Sequence, residues 1–288
     1  MTYSEIAASG GGIMETVRHT RNATKEELTR IGIDRLTESL RNGCTFLEAK
    51  SGYGLSTSEE LRLLEILNHL NGLENIPSIH STWMGAHAVT KGTTYEEYTQ
   101  EILSEQLPSV IDSGLAQSAD VFCEPGWFTL EQSEEILRES RKGGLDLRMH
   151  IDEFTDGGGG SLASELKVVT ADHAHHTPLD TRLEMMENGV MTGFLPGTPY
   201  SNGDDWPDFN EVSSHGIDYT IATDFNPNCY INNLPFIGSL LVQRNGVHPY
   251  EALVSMTRNS AKTTPRSDGL VQGRIEIGAV ANLSLIHN

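Results

Sequence analysis

The sequence predicts a parallel (β/α)8-type barrel with one strand unaccounted for. Three observations predict it. Short β-rich runs alternate with amphipathic stretches through most of the chain, seven strand-then-helix units can be counted, and His, Glu, Asp or Asn stands at the C-terminal end of nearly every expected strand. Such alternation implies a parallel sheet with right-handed crossovers. An open doubly wound sheet is the competing architecture, and it can stop at seven strands. The polar strand ends favour the barrel, because a barrel gathers those ends at one mouth while an open sheet spreads them along an edge. One place in the ring is then unfilled, and the strands flanking it are expected to show bare edges.

The elements follow in order. A long helix is expected over 15–40, then a strand over 44–50 (Cys-Thr-Phe-Leu-Glu-Ala-Lys). A helix over 58–70 precedes a strand over 78–83, and a helix over 95–112 precedes a strand over 120–123. A helix over 130–142 leads to a strand over 146–151, and further strands are expected at 167–170, 190–195 and 219–223. The tail 269–288 has β character and glycine punctuation without helical period, which predicts two or three short strands of a small accessory sheet. The chain therefore divides into a barrel, 1–262, and an accessory segment, 263–288.

The bulk numbers narrow the function classes. A length of 288 residues suits one large α/β domain, and 37% hydrophobic residues suffice for its core. The net charge of −20 opposes non-specific binding to nucleic acid or anionic membranes and says little about the substrate. Cys44, Cys123 and Cys229 are far apart with no CxxC spacing, so a reducing cytoplasm is expected rather than a disulfide framework. No apolar run reaches the ~18–20 residues of a membrane span. The opening Met1-Thr2-Tyr3-Ser4-Glu5-Ile6 has neither the basic region nor the apolar core of a signal peptide.

The chemistry concentrates in four clusters, each just after an expected strand. His87 lies in Gly85-Ala86-His87-Ala88, His150 and Glu153 in His150-Ile151-Asp152-Glu153-Phe154, His173 in Ala171-Asp172-His173, and Asp224 and Asn226 in Thr223-Asp224-Phe225-Asn226-Pro227. Imidazole and carboxylate are the usual ligands of a catalytic Zn²⁺ or Fe²⁺ that keeps a position open for water. A single histidine reads more readily as an ordinary hydrogen-bonded residue. Four clusters in register with four strand ends do not. The glycine runs, Gly10-Gly11-Gly12 and 157–160, lack the Gly-Lys-Ser/Thr ending of a phosphate loop and read as tight turns or close backbone approach. His175 and His176 read as a solvated helix start. Cys229 lacks an adjacent base and is a poor candidate nucleophile.

Together with Ala7-Ala8-Ser9-Gly10-Gly11-Gly12-Ile13, Lys50-Ser51-Gly52-Tyr53-Gly54-Leu55 and Asp120-Val121-Phe122-Cys123-Glu124, these segments occur in an order that resembles the imidazolonepropionase family of the amidohydrolase superfamily. The resemblance covers nearly the whole chain. It implies a TIM-like metal-dependent hydrolase barrel with the C-terminal remnant of a small β-sandwich. The implied reaction is ring opening of 4-imidazolone-5-propanoate to N-formimidoyl-L-glutamate in histidine degradation. His150 and Asp224 would ligate one Zn²⁺ or Fe²⁺/Fe³⁺ ion, with two further His ligands from a first strand that this sequence does not contain. Glu153, His173 and Asp224 would be catalytic. Tyr53, His87 and Asn226 would bind substrate, and a homodimer is implied.

The departures are specific. No His-x-His stands on an early strand, His19 falls in an expected helix, and His173-Ala174-His175 has the spacing at a different strand end. Asn228 and Asn282 stand where the family usually has Gly and Asp. Two other readings follow from the residues: a hydrolase of another cyclic amide or amidine, and a catalytically inactive barrel.

Overall fold

The computed structural model describes residues 12–283. Seven strands form one sheet: β1 (Phe46–Lys50), β2 (Ser78–Ala86), β3 (Ser118–Cys123), β4 (Asp146–Ile151), β5 (Thr170–His173), β6 (Met191–Phe194) and β7 (Tyr219–Ile221). Each pairs in parallel with the next, in sequential order. An order without reversal has no switch point, which excludes the doubly wound alternative. The sheet also curls strongly. Four strand spacings separate β1 from β5, about 19 Å in a flat sheet. Yet Lys50 Nζ on β1 lies 3.4 Å from Asp172 Oδ2 on β5.

Strand alternation sorts the side chains. On β4, Leu147, Met149 and Ile151 join the apolar cluster under the helices, while Arg148 and His150 point into the barrel. On β3, Ala119, Val121 and Cys123 face the helices and Asp120 faces inward. The helices that cover the outside are α1 (Ile13–Asn22), α2 (Lys25–Arg41), α3 (Thr57–Asn71), α4 (Tyr95–Glu101), α5 (Leu107–Ser113), α6 (Leu130–Lys142) and α7 (Gly159–Leu166). The second half adds α8 (Leu179–Glu187), α9 (Gly197–Asn202), α10 (Phe209–Ser214), α11 (Leu234–Asn245), α12 (Pro249–Val254) and α13 (Ser260–Thr263).

Several expected boundaries are corrected. The helix expected over 15–40 is two helices, because Thr24 starts a new one. Its hydroxyl accepts from Glu27 N at 3.1 Å while Glu27 accepts from Thr24 N at 2.8 Å. This reciprocal box satisfies two free helix-end donors. The helix expected over 95–112 passes through a π-turn at Ile102–Gln106 before α5. The strand expected at 167–170 forms three residues later, because α7 runs to Leu166 and Lys167 is a left-handed cap with φ 48°. His173 therefore sits on β5 rather than beyond it.

The strands expected in the tail are not formed among the described residues, and 284–288 lie outside them. Ile275 and Ile277 are fully exposed, and none of the described strands lies beside them to pair with. The start of the tail is anchored beneath the barrel instead. Arg148 Nη2 donates to Thr263 O, and His80 Nδ1 donates to Pro265 O at 3.4 Å.

The outer edges of β1 and β7 have no strand partner among the described residues. Side chains bridge the gap. Asn232, in the loop after β7, donates to Arg35 O at 2.8 Å and accepts from Ser39 Oγ at 2.6 Å, and its carbonyl accepts from Asn42 Nδ2 at 2.6 Å. All three partners belong to α2 or its end. The loop after the last strand is thus tied to the helix before the first.

Candidate active site

Every sequence-predicted cluster reaches the mouth at the C-terminal ends of the strands. A row of rings crosses it from strand to strand. Tyr53 meets His87 edge-on at 5.2 Å, His87 lies 6.0 Å from Phe122, Phe122 lies 5.9 Å from His150, and His150 lies 5.2 Å from His173. Phe122 was not singled out by sequence reasoning. Its alternation with Asp120 along β3 was the available signal.

His150 is held from below. Its Nδ1 lies 2.9 Å from Asp120 Oδ1, and both are buried. In the neutral ring, with Nδ1–H donated to that carboxylate, Nε2 would have its lone pair free for a ligand, the tautomer that metal-binding histidines adopt. Burial works against the imidazolium, but the Asp120 charge outweighs it and lifts His150 to about 9. Burial alone would raise Asp120, yet His150 and Lys50 hold it well below the usual carboxylate range. Lys50 Nζ lies 2.5 Å from Asp120 Oδ2. Asp120 and Lys50 are the functional residues that sequence reasoning missed, since one polar residue inside an apolar strand gives no hint of a partner two strands away.

Asp120, His150 and Asp172 each offer a ligand atom within 4.8 Å of the others. The cation of this cluster is already present. The Lys50 ammonium touches Asp120 and Asp172 together.

Glu153 Oε2 lies 3.6 Å from His173 Nε2. Burial raises Glu153 and lowers His173, so both are pushed toward their neutral forms, while their mutual attraction opposes the change. Glu153 is placed by its own backbone: Glu124 accepts from the N–H groups of Glu153, Phe154 and Thr155 at 3.0, 3.1 and 3.1 Å. His87 donates Nδ1–H to Gly52 O at 2.8 Å, and burial lowers it to about 4, so it is a neutral imidazole with Nε2 turned away from that bond.

Asp224 accepts a hydrogen bond from Thr198 Oγ1, a partner the sequence did not suggest. Thr198 lines the same cavity as Glu153 and His173, which sets Asp224 beside that mouth. Asn226 donates to Asp224 O at 2.8 Å and accepts from Asn228 N at 2.8 Å, so its amide shapes the turn that carries Asp224. His173, Ala174 and Asp224 all have positive φ, and so does Asp152. Left-handed non-glycine residues are costly and gather at functional sites.

The run 157–160 is a close-approach turn and no phosphate cradle. Asp152 Oδ1 accepts from Gly157 N and Gly159 N at 3.0 and 3.2 Å, filling the space an anion would take. A Cβ on Gly159 would meet Ile151 Cβ at 2.7 Å. Gly10 and Gly11 of the other run, with the rest of 7–11, lie outside the described residues. His19 is a surface residue paired with Glu15 at 2.9 Å. Burial pushes the Cys229 thiol up, which removes it as a nucleophile. A cavity of about 300 Å³ opens beside Glu153 and His173, walled by Phe194, Pro196 and Thr198.

The donor set suits a zinc or iron ion. His150 in the tautomer set by Asp120 offers a nitrogen donor and Asp224, just after β7, an oxygen donor, and these are two of the donor types such an ion would take.

No family model matches the chain. Curated relatives do. It is 37% identical to the imidazolonepropionase of Alkaliphilus metalliredigens, covering 99% of this chain and 68% of that protein. It is 36% identical to that of Haloarcula marismortui, covering 96% and 66%. It is 35% identical to that of Shewanella sediminis, covering 99% and 70%. The chain spans about two thirds of the length of these relatives. Among solved structures, a triazine hydrolase variant superposes with a TM-score of 0.71 at 16% identity, over 98% of this chain and 68% of that one. An adenosine deaminase from Xanthomonas campestris with bound zinc gives 0.64 at 13% identity, over 91% and 62%. At these identities both are likenesses of fold alone. On its sequence identity over nearly its whole length, the chain belongs to the imidazolonepropionase family.

Proposed function

We propose that the protein hydrolyses the ring of 4-imidazolone-5-propanoate to N-formimidoyl-L-glutamate. The observation that carries this reading is the mouth itself, where His150 and Glu153 from the end of β4, His173 from β5 and Asp224 from beyond β7 gather with His87 and Tyr53.

A Zn²⁺ or Fe²⁺/Fe³⁺ ion would be held by His150 and Asp224. When bound, the ion supplies a Lewis acid that polarises a carbonyl and makes water acidic. The chain's residues do the rest. Asp120 keeps the His150 ring in its ligating orientation. Asp224 is the acceptor for a proton from the attacking water. Glu153 and His173, 3.6 Å apart, orient that water and carry a proton toward the departing ring nitrogen. Neutral His87 and the ring of Tyr53 receive the substrate, and the buried wall of Phe122 excludes bulk solvent. Asn226 supports substrate binding by fixing the Asp224 turn.

The same reading extends to the rest of the molecule. Residues 263–288 are an accessory segment whose exposed Ile275 and Ile277 have the alternation of a strand made for a partner sheet. The three free cysteines fit a cytoplasmic protein, and a homodimer is its assembly. No helix among the described residues is long and apolar enough to cross a membrane.

The test is hydrolysis by protein loaded with Zn²⁺ or Fe²⁺. Formation of N-formimidoyl-L-glutamate supports the proposal. Turnover of another cyclic amide, with none of the imidazolone, contradicts it.

A further inference from the structure

We infer that Glu60 and Arg21 are positioning residues for the loop 51–55, fixing Tyr53 and His87 for substrate; the inference rests on the reaction proposed above. Glu60 stands in the first turn of α3 and is fully buried. Carboxylates are almost never buried without partners, and those of Glu60 are all in one loop. Its Oε2 accepts from Gly52 N at 2.8 Å, and its Oε1 accepts from Gly54 N at 2.7 Å and Leu55 N at 2.8 Å. Arg21, on α1, grips the same peptides by their carbonyls. Its Nε donates to Gly54 O at 2.7 Å and its Nη2 to Leu55 O at 2.9 Å. An anion holds the N–H side of the loop and a cation holds the C=O side.

The backbone is shaped for this grip. Gly52 has φ +100° and Leu55 has φ 51°. A Cβ on Gly54 would lie 2.7 Å from both Glu59 C and Glu60 N, so only glycine lets the loop press against the start of α3. The other side of the loop faces the mouth. Gly52 gives its N–H to Glu60 and takes the Nδ1–H of His87 on its carbonyl at 2.8 Å. Tyr53 then meets His87 edge-on. One residue of backbone thus links the buried carboxylate to both substrate-binding side chains. Displacing Gly52 shifts the His87 ring and the Tyr53 ring together.

The experiment compares E60Q, E60D and R21M with the unmodified chain. A glutamine keeps one acceptor oxygen and sets an NH₂ against N–H donors. Amide hydrogen exchange at Gly52, Gly54 and Leu55 is expected to accelerate about tenfold or more in E60Q while β3 and β4 keep their protection. KM for 4-imidazolone-5-propanoate is expected to rise about tenfold with kcat held within about threefold. E60D should recover part of both effects, and R21M, which leaves the buried carboxylate in place, should loosen the same three amides less. Unchanged protection of those amides overturns the clamp. A fall in kcat at constant KM overturns its assignment to substrate positioning. An unmodified chain that forms no N-formimidoyl-L-glutamate refutes the reaction instead, and the exchange measurement then decides the clamp by itself.

Discussion

Two polar regions are stacked inside one barrel, and they differ in what their side chains have left to offer. In the floor, the carboxylates of Glu48, Asp120 and Asp172 gather around the cations of Lys50 and Arg148. Lys50 alone touches Glu48, Asp120 and Asp172, and Arg148 lies 3.1 Å from Glu48. At the mouth, His87 and His150 use Nδ1 for the protein and turn Nε2 away. Glu153 and His173 face each other at 3.6 Å, too long for a strong hydrogen bond. The floor is paired within the protein and structural, while the mouth is oriented but chemically unfinished. A buried group whose partners are all protein makes a scaffold. One whose partner set is incomplete makes a site.

The largest effect should come from breaking the floor. Lys50→Met leaves Asp120, Asp172 and Glu48 without their shared cation, and removing one member of such a buried cluster typically costs about 3–5 kcal/mol. Denaturant unfolding should show that loss. Asp224→Asn, at the mouth, should stay within about 1 kcal/mol of the parent, because it keeps the volume and a polar end. Equal losses in the two variants would erase the distinction between floor and mouth.

The pH dependence sharpens it. His150 is raised from 6.5 to about 9 in the folded chain, with burial opposing and Asp120 prevailing. A raised folded value means that the metal-free fold binds the proton more tightly than the unfolded chain. This stabilisation is complete below about 6.5 and is lost as pH rises through about 9. Urea midpoints of the metal-free protein should therefore fall between those values, and His150→Gln should flatten that fall. A midpoint that drops equally in both proteins would show that the Asp120–His150 pair contributes nothing to it.

A more local effect lies at the gap between β7 and β1. Asn232→Ala removes the side-chain bonds to Ser39 and Arg35, which predicts a loss of about 1–3 kcal/mol without any change at the mouth. A Tm shift with unaltered metal binding would show the bridge to be purely structural.

Much of this was legible in the sequence. The seven strands and their parallel order follow from alternating β-rich and amphipathic runs. The four strand-end clusters follow from where His, Glu and Asp fall beside them. The floor was not legible, because Lys50, Asp120 and Asp172 each read as an isolated polar residue until the curl of the sheet closes four strand spacings to one ion pair. The break at Thr24 was readable as Thr-x-x-Glu, but the amphipathic period continues across it and masks the cap. The tail misled because β-branched alternation signals a strand only when an edge is there to receive it. Glu60 and Glu124 look like ordinary helix or loop carboxylates, and only the backbone N–H groups around them reveal that they hold the mouth in shape.

The central claim is that the mouth, and not the floor, holds the metal-ligating valences. Zinc titration of Asp224→Asn and Asp172→Asn, each confirmed folded, separates the two directly, since His150 belongs to both sets. Asp224→Asn should lose zinc binding and Asp172→Asn should keep it. Zinc retained in Asp224→Asn and lost in Asp172→Asn would contradict that claim and move the metal into the Asp120–His150–Asp172 cluster.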